Sequence, residues 1–494
     1  MKRILSIILS LSMILSFFVG IKVFTEDKKV KADGGAVTLD SLTNNSVFYD
    51  DEDVRWIYEE PKEIEVDGET VNAILCVKKR SMRSNVSYSV HPAFNPQVYN
   101  DYYDKITGGE NDAIPGYMDM TGYGQWSPAS VKYDAPSDLK RAIDRWFSLK
   151  SDNIKQLAYN RHIVEQPVTI EEWENNKRAS QTAKNDQNYG GNFETGAIVL
   201  RPNAPSLDFT AKCYAPSYDE FKYENEERDL SREAGINTRS AFAFDRKDDY
   251  YPTDYYNNCV IDGVGDYNRY YCPVLSWDST LAVKPAITLP LKTLIIRDGD
   301  KLRLAPYNGE FFTKVGVEKA ENFIGTAGAN NADSFITGIG TDSDSLKKIA
   351  TFIKKTGSTG AEAGEFVKKA GGEKAALIVK NSDETELGTF IKTAGGVAAG
   401  EMVNLLGDEV IDLVNQYGGR HFTGLEVNNK FITIVKDGKK VLFRYGSNKS
   451  GNVTIPNDVD VIGSEAFHNN KTADVVTIPY NVSLIQNGAF DTGE

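Results

Sequence analysis

Cysteine and histidine are scarce, at four residues each in a chain of 494. Cys76, Cys213, Cys259 and Cys272 contain no C-x-x-C pair, and His91, His162, His421 and His468 lie far apart in sequence. No zinc-type ligand set is expected, so no metal and no cofactor is assigned. A basic excess is also missing. The formal net charge is −14, the wrong sign for a nucleic-acid footprint or for general binding to anionic membranes. No Gly-x-Ser-x-Gly elbow, His-Glu-x-x-His pair or P-loop stands out, so no catalytic residue is assigned. After the N-terminus no stretch is long and apolar enough to span a bilayer.

The N-terminus itself reads as an export signal. Lys2 and Arg3 precede an apolar stretch from Ile4 to Ile21, and Val30-Lys31-Ala32 offers a small-residue cleavage site before Asp33. The alternative reading of the same residues is an uncleaved membrane anchor. In an exported chain four cysteines permit two disulfides in three connectivities. Cys259 and Cys272 are the candidate pair, because they flank a short segment with Gly263 and Gly265 near its middle. The alternative is buried free thiols.

Composition divides the chain. Residues 1–32 are the signal and 33–297 are rich in Tyr, Trp, Asp and Asn, with the order of strands and helices of an α+β domain. Residues 298–420 are a Gly/Ala-rich helical region, 421–452 a β-hairpin cap, and 453–494 a repetitive β-rich tail. In the first domain Val71–Val77 is a strand. Leu139, Ile143, Trp146 and Phe147 share a helix face. Thr169 and Glu172 form a capping box for a short helix. Ala282–Pro290 is a closing strand in which Pro285 favours an edge or a bulge.

The helical region repeats a phrase in which an apolar pair precedes a glycine suited to a helix C-terminus: Phe323-Ile324 before Gly328, Phe352-Ile353 before Gly357, Phe366-Val367 before Gly371, and Phe390-Ile391 before Gly395. The copies are irregularly spaced, which predicts no regular stack. The longest predicted helix runs from Val397 to Tyr417, with Val403, Leu406, Val410, Leu413, Val414 and Tyr417 in one stripe. Gly396 and Gly400 read as a close helix-packing pair.

The tail carries the strongest pattern. Val453-Thr454-Ile455-Pro456 returns as Val476-Thr477-Ile478-Pro479, and Val459, Ile462, Ala466 and Phe467 return as Val482, Ile485, Ala489 and Phe490, all at an offset of 23 residues. A fixed period of that length predicts stacked turns, each burying its apolar positions against its neighbours. Val453 and Ile455 are expected inside and Thr454 outside, with the second copy following suit. Phe467 and Phe490 are expected to stack. Lys436-Asp437-Gly438-Lys439 is the turn of the preceding hairpin. Two turns are few for a stack, so the tail reads as a piece of a longer array; the alternative is that the cap and the helical region complete its core.

These residues resemble the BspA-type leucine-rich repeats of bacterial surface proteins, whose phrase runs Ile-Pro, Val, Ile-Gly, Ala-Phe. The copy from Ile455-Pro456 through Ile462-Gly463 to Ala466-Phe467 fits throughout, whereas the second copy has Gln486 in place of the glycine. Asn470 and Gly493 stand where that family often has cysteine. The first domain resembles an uncharacterised domain of exported Gram-positive proteins, through the Trp56 and Leu75 strands, Trp146-Phe147, Ser217 to Phe221, and Val283-Lys284-Pro285-Ala286. Lys284 stands for that domain's usual arginine, and its Trp-Leu-Arg phrase is absent here. The resemblance implies a fold akin to C-type lectins and formylglycine-generating enzymes, and no catalytic residues.

Tyr250, Tyr251, Tyr255, Tyr256, Tyr267, Tyr270, Tyr271 and Trp277 crowd one segment among Asp and Asn. Flat aromatic faces beside polar groups suit sugar or peptide recognition. The alternative is a tyrosine-packed, loop-rich core. Asp245, Asp248, Asp249 and Asp254 match no EF-hand spacing and read as a solvated acidic loop.

The expectation is therefore a secreted or cell-surface protein, exported and non-catalytic. Its partner would be a host or neighbouring-cell protein or glycan, with membrane contact only through the signal sequence or an anchor beyond the present C-terminus. The competing expectation is a secreted enzyme, acting on glycans or carrying oxidase chemistry related to formylglycine-generating enzymes.

Overall fold

In the computed structural model the described residues are 35–79, 143–144, 146–165, 198–200, 207–217, 220, 236–241, 244–246, 258–261, 271–273, 282–446, 451–468, 470 and 472–491. The signal segment, the 169–176 capping box and most of the tyrosine segment lie outside them. The fold is mixed α/β.

The first strands are β1 (Val37–Thr38), β2 (Val47–Tyr49), β3 (Arg55–Val66) and β4 (Glu69–Lys78). β3 and β4 form a long hairpin closed by Asp67-Gly68, both at positive φ (53° and 84°), the backbone that a two-residue Asp-Gly turn requires. Further along come β5 (Arg161–Glu165), β6 (Ile198–Leu200), β7 (Leu207–Ala211), β8 (Cys213–Tyr214), β9 (Ile236–Ala241) and β10 (Phe244–Arg246). Then follow β11 (Asn258–Ile261), β12 (Tyr271–Pro273), β13 (Ala282–Val283), β14 (Ala286–Pro290), β15 (Leu294–Asp298) and β16 (Lys301–Leu304). The main sheet runs β1-β15-β16-β2-β3-β4-β14-β8, with β5 on the end of β3 and β7 on β5. Strands β12-β11-β9-β13 form a second sheet and β10-β6 a third.

Pro285 marks neither an edge nor a bulge. The predicted closing strand is cut there into β13, which joins β9, and β14, which lies between β4 and β8. Lys284, at the cut, is buried and its ammonium donates to the Lys79 carbonyl at 3.0 Å. β15 and β16 belong to the main sheet, so this sheet continues past the compositional shift at residue 297. Trp56, fully buried, donates from Nε1 to Asp50 at 3.0 Å, and Ile143, Trp146 and Phe147 are buried as their spacing predicts.

A short helix, α1 (Asp152–Leu157), precedes β5. The helical region comprises α2 (Asn308–Val315), α3 (Val317–Ala327), α4 (Ala329–Ile339), α5 (Ser343–Thr356), α6 (Ala361–Ala370), α7 (Gly372–Asn381), α8 (Glu384–Ala394), α9 (Gly396–Leu406) and α10 (Glu409–Tyr417). The predicted single helix from Val397 to Tyr417 is two, broken at Gly407 (φ 65°, ψ −134°), a conformation a helix cannot pass through.

The expectation of no regular stack is also corrected, because every third helix packs on its predecessor. One column is α1, α2, α5, α8 and a 3-10 turn at Gly419–Phe422, a second is α3, α6 and α9, and the third is α4, α7 and α10. Glycines set the distance between layers. A Cβ at Gly309 would lie 2.3 Å from the Asn153 carbonyl oxygen, at Gly364 2.8 Å from that of Phe323, at Gly372 2.4 Å from that of Asn331, and at Gly396 2.3 Å from that of Glu362. The chain turns between helices on single glycines. Gly316, Gly328, Gly371 and Gly395 have φ from 82° to 95° and ψ from 138° to 144°. Each donates its N–H to the carbonyl four residues back. Three of these are phrase-ending glycines read from the sequence, whereas Gly357 is extended (φ −176°). Unequal connections at 340–342, 357–360 and 382–383 absorb the irregular spacing. Phe311, Phe323, Phe335, Phe352 and Phe366 form a buried spine with successive centroids 5.6–6.2 Å apart.

The tail opens with β17 (Glu426–Asn428), β18 (Phe431–Lys436) and β19 (Lys439–Tyr445), a three-stranded meander where a hairpin was expected, turning at Asp437-Gly438. β20 (Gly451–Thr454), β21 (Val461–Ile462), β22 (Ala473–Thr477) and β23 (Leu484–Ile485) follow. β20 pairs β22, and β19, β21 and β23 form a ladder, all parallel, with Val453 opposite Val476 and Ile462 opposite Ile485. These pairs reproduce the 23-residue offset. A register shift beside Phe443 divides β19 between two cores. Val441 and Phe443 pack with the helices, while Leu442 and Tyr445 pack with Val453, Ile455, Val459, Ile462 and Phe467. The core containing Phe443 is continuous with that of the helices and the main sheet.

Candidate binding surface

In the first tail turn Val453 and Ile455 point inward at 5% and 0% exposure, and Thr454 points out. In the second turn Thr477 is exposed, and Val475 is 54% exposed. The parallel register brings Thr454 opposite Thr477 and Asn452 opposite Val475. The result is an outward face of β20 and β22 with a threonine pair, a carboxamide and a valine side chain, and no positive charge among the described residues of the two strands. Such a face offers hydroxyl donors and acceptors beside a small apolar contact.

The second copy fills its layer only in part: Val476 and Val482 pack against the first turn and Ala489 is buried. Ile478, Leu484, Ile485 and Phe490 are 38%, 50%, 47% and 40% exposed, because no described residue lies on the outer side of this turn. The rings do line up. Phe431, Tyr445, Phe467 and Phe490 form a column with centroids 5.1, 5.3 and 4.9 Å apart. Asn470 accepts from the Thr472 and Ala473 amides, closing the turn between the copies.

Tyr250, Tyr251, Tyr255, Tyr256, Tyr267, Tyr270 and Trp277 lie outside the described residues, and Tyr271 opens β12 opposite Ile261. Cys259 and Cys272 stand on paired strands, Cys259 opposite Pro273 and Cys272 opposite Val260. Cys76 is a free buried thiol, pushed well above the usual range by burial and by Glu59, so it supplies no ready thiolate. Cys213 is buried in the same core.

Sequence reasoning missed two polar clusters on the first domain. Glu220, fully enclosed, accepts from Arg161 at 2.6 Å and from Lys62 at 2.7 Å, and Arg161 also donates to the Tyr214 hydroxyl at 2.9 Å. Ser217 and Glu220 cap each other reciprocally, and that Ser-x-x-Glu spacing was readable beforehand. On the exposed side His162 on β5 bridges Glu65 of β3 at 3.1 Å and Asp208 of β7 at 2.8 Å. Both carboxylates favour the imidazolium, Asp208 more strongly, and raise its pKa. With both nitrogens engaged, the ring serves as a clasp.

At the junction of helices and tail, Arg444 is enclosed and reaches Glu409 of α10 at 3.0 Å and Glu465 of the first turn at 3.6 Å. His421 stacks on Tyr417 at 4.9 Å, and burial, then Lys436, lower its pKa. Among the described residues no group of His, Cys, Asp or Glu is placed to hold a metal ion, and no helix is long and apolar enough to cross a membrane. Comparison of the chain with protein-family models, with curated proteins and with solved structures finds no match in any of the three.

Proposed function

We propose that this chain is an exported, non-catalytic bacterial cell-surface protein that binds a protein or glycan of a host or neighbouring cell. The binding surface is the outward face of β20 and β22, in an architecture of BspA-type leucine-rich repeats joined through a helical region to a lectin-like first domain. The observation that carries this reading is the row of Thr454 and Thr477, repeated at 23 residues on parallel strands, with Val475 beside it in the second turn. Repetition of an exposed hydroxyl on a fixed lattice suits contact over an extended partner. The export-like N-terminus supports this reading, since such a segment directs a chain out of the cell. Two of the polar groupings of the first domain fit the same reading, since Glu220 is neutralised by Arg161 and Lys62 and both nitrogens of His162 are occupied. The test is capture of immobilised glycans and matrix proteins by residues 33–494. Saturable binding to one class supports the proposal, and retention no greater than that of an unrelated acidic protein across the panel refutes it.

A further inference from the structure

The tip of the long β3–β4 hairpin carries a second piece of sheet. β5 pairs with β3 at two ladder positions, Glu65 opposite His162 and Val66 opposite Arg161, and with β7 at five. β7 passes through Lys212 into β8, which enters the main sheet beside β14. The seam between β3 and β5 is therefore short, and it is bridged on both faces. On the inner face Arg161 and Lys62 both bind Glu220. On the outer face the ring of His162 lies between two carboxylates, with Nδ1 3.1 Å from Glu65 of β3 and Nε2 2.8 Å from Asp208 of β7.

We infer that His162 is a pH-operated latch on this seam: the doubly protonated ring holds β3 and β7 together across β5, and the ring that has lost a proton lets Glu65 go. An ionised carboxylate only accepts hydrogen bonds, and a neutral imidazole has one N–H to give, so only the imidazolium serves Glu65 and Asp208 at once. With a single N–H the ring keeps Asp208, which is the shorter contact and stands on the strand laddered to β5 along its whole length. A lone pair then faces Glu65, and the link to the hairpin tip loosens. Side chains alternate between the two faces of a strand. Glu63 therefore shares the outer face with Glu65, Val164 shares it with His162, and Thr210 shares it with Asp208; β4 adds Thr70 opposite Glu65. Lys212, two residues past Thr210, donates to the Lys155 carbonyl at 2.6 Å, and Arg161 and Lys62 face inward on Glu220. Among the described residues no lysine or arginine is paired with Glu65 or Asp208. The charge facing the ring is thus negative, and Asp208, then Glu65, raise its pKa. Release comes as pH rises through that raised value, above the ~6.5 of a free imidazole.

The test is hydrogen exchange of the whole chain read by mass spectrometry, from about pH 5 to about pH 8, each rate taken relative to the unstructured chain at the same pH. In the wild type the β5 segment and the hairpin tip are expected to lose protection severalfold across that range, while β14 and β15 keep theirs. His162→Gln, which never carries the charge, is expected to show the lower protection already at the acid end. His162→Arg, charged throughout and rich in donors, is expected to keep the seam protected at the alkaline end. That result is a gain over the wild type, which a misfolded chain cannot imitate. A wild-type seam equally protected at both ends of the range, a loss shared by β14 and β15, or an Arg variant that loosens with pH as the wild type does overturns the inference.

Discussion

Phe467 and Phe490, 23 residues apart in the chain, stack with centroids 4.9 Å apart and planes 17° from parallel. One ring is buried and the other is 40% exposed, and that asymmetry fixes how the tail responds to truncation.

Phe467→Ala removes a ring held between Tyr445 and Phe490, and is expected to cost about 3–5 kcal/mol. Phe490→Ala removes a ring with one covered side and is expected to cost about half as much or less. Denaturant unfolding of the two variants checks this. Equal losses would contradict the layered packing.

The glycines of the helical stack divide by position. Gly396→Ala drives a methyl against the Glu362 carbonyl and is expected to destabilise by about 1–3 kcal/mol. Gly325→Ala, on the exposed side of α3 with only the Lys292 stem at 3.6 Å, is expected to stabilise by about 0.5–1 kcal/mol. Thermal unfolding separates the two signs.

Two histidines tilt stability in opposite directions. Asp208 and Glu65 raise the pKa of His162, so its contribution is full below the unfolded value near ~6.5 and is lost as pH rises through the folded value. Burial lowers that of His421, so stability is lost as pH falls from that unfolded value towards the folded one. His162→Gln should remove the loss on the alkaline side and leave the acid side unchanged. Stability measured against pH, with NMR titration of both rings, checks the assignment.

Arg444 ties α10 to the first tail turn. Arg444→Met keeps much of the packing volume but leaves Glu409, Glu465 and the Glu465 carbonyl without this donor, at an expected cost of about 1–3 kcal/mol. Glu409 and Glu465 are partly solvated, which holds the figure to that range. Hydrogen exchange of β19 and β21 should rise with the loss of stability, while that of β3 and β4 should not.

The tail was legible because its period is a local property: Val453, Ile455 and Phe467 announce their layer wherever the chain folds. The exposure of Ile478 and Ile485 was not, since it depends on what lies on the outside of the second turn and not on the residues themselves. The helix ends at Gly328, Gly371 and Gly395 were readable from single positions. The three-column stack was hidden by unequal connections, and its signal lay in the glycines that open or closely follow the start of α2, α6, α7, α8 and α9. Gly407 could have been read as the break between Leu406 and Asp408, but an unbroken apolar stripe outweighed it. Glu65, His162 and Asp208 meet only because β5 joins β3 to β7, a pairing no sequence interval encodes. The tyrosine segment, the sequence's own choice of site, is represented only by Tyr271.

The most direct test of the account is binding by the double variant Thr454→Glu, Thr477→Glu, made on two exposed positions that no core depends on. Against whichever glycan or matrix protein the wild type captures, the account predicts loss of saturable binding with unchanged unfolding. Undiminished capture by the double variant would contradict it.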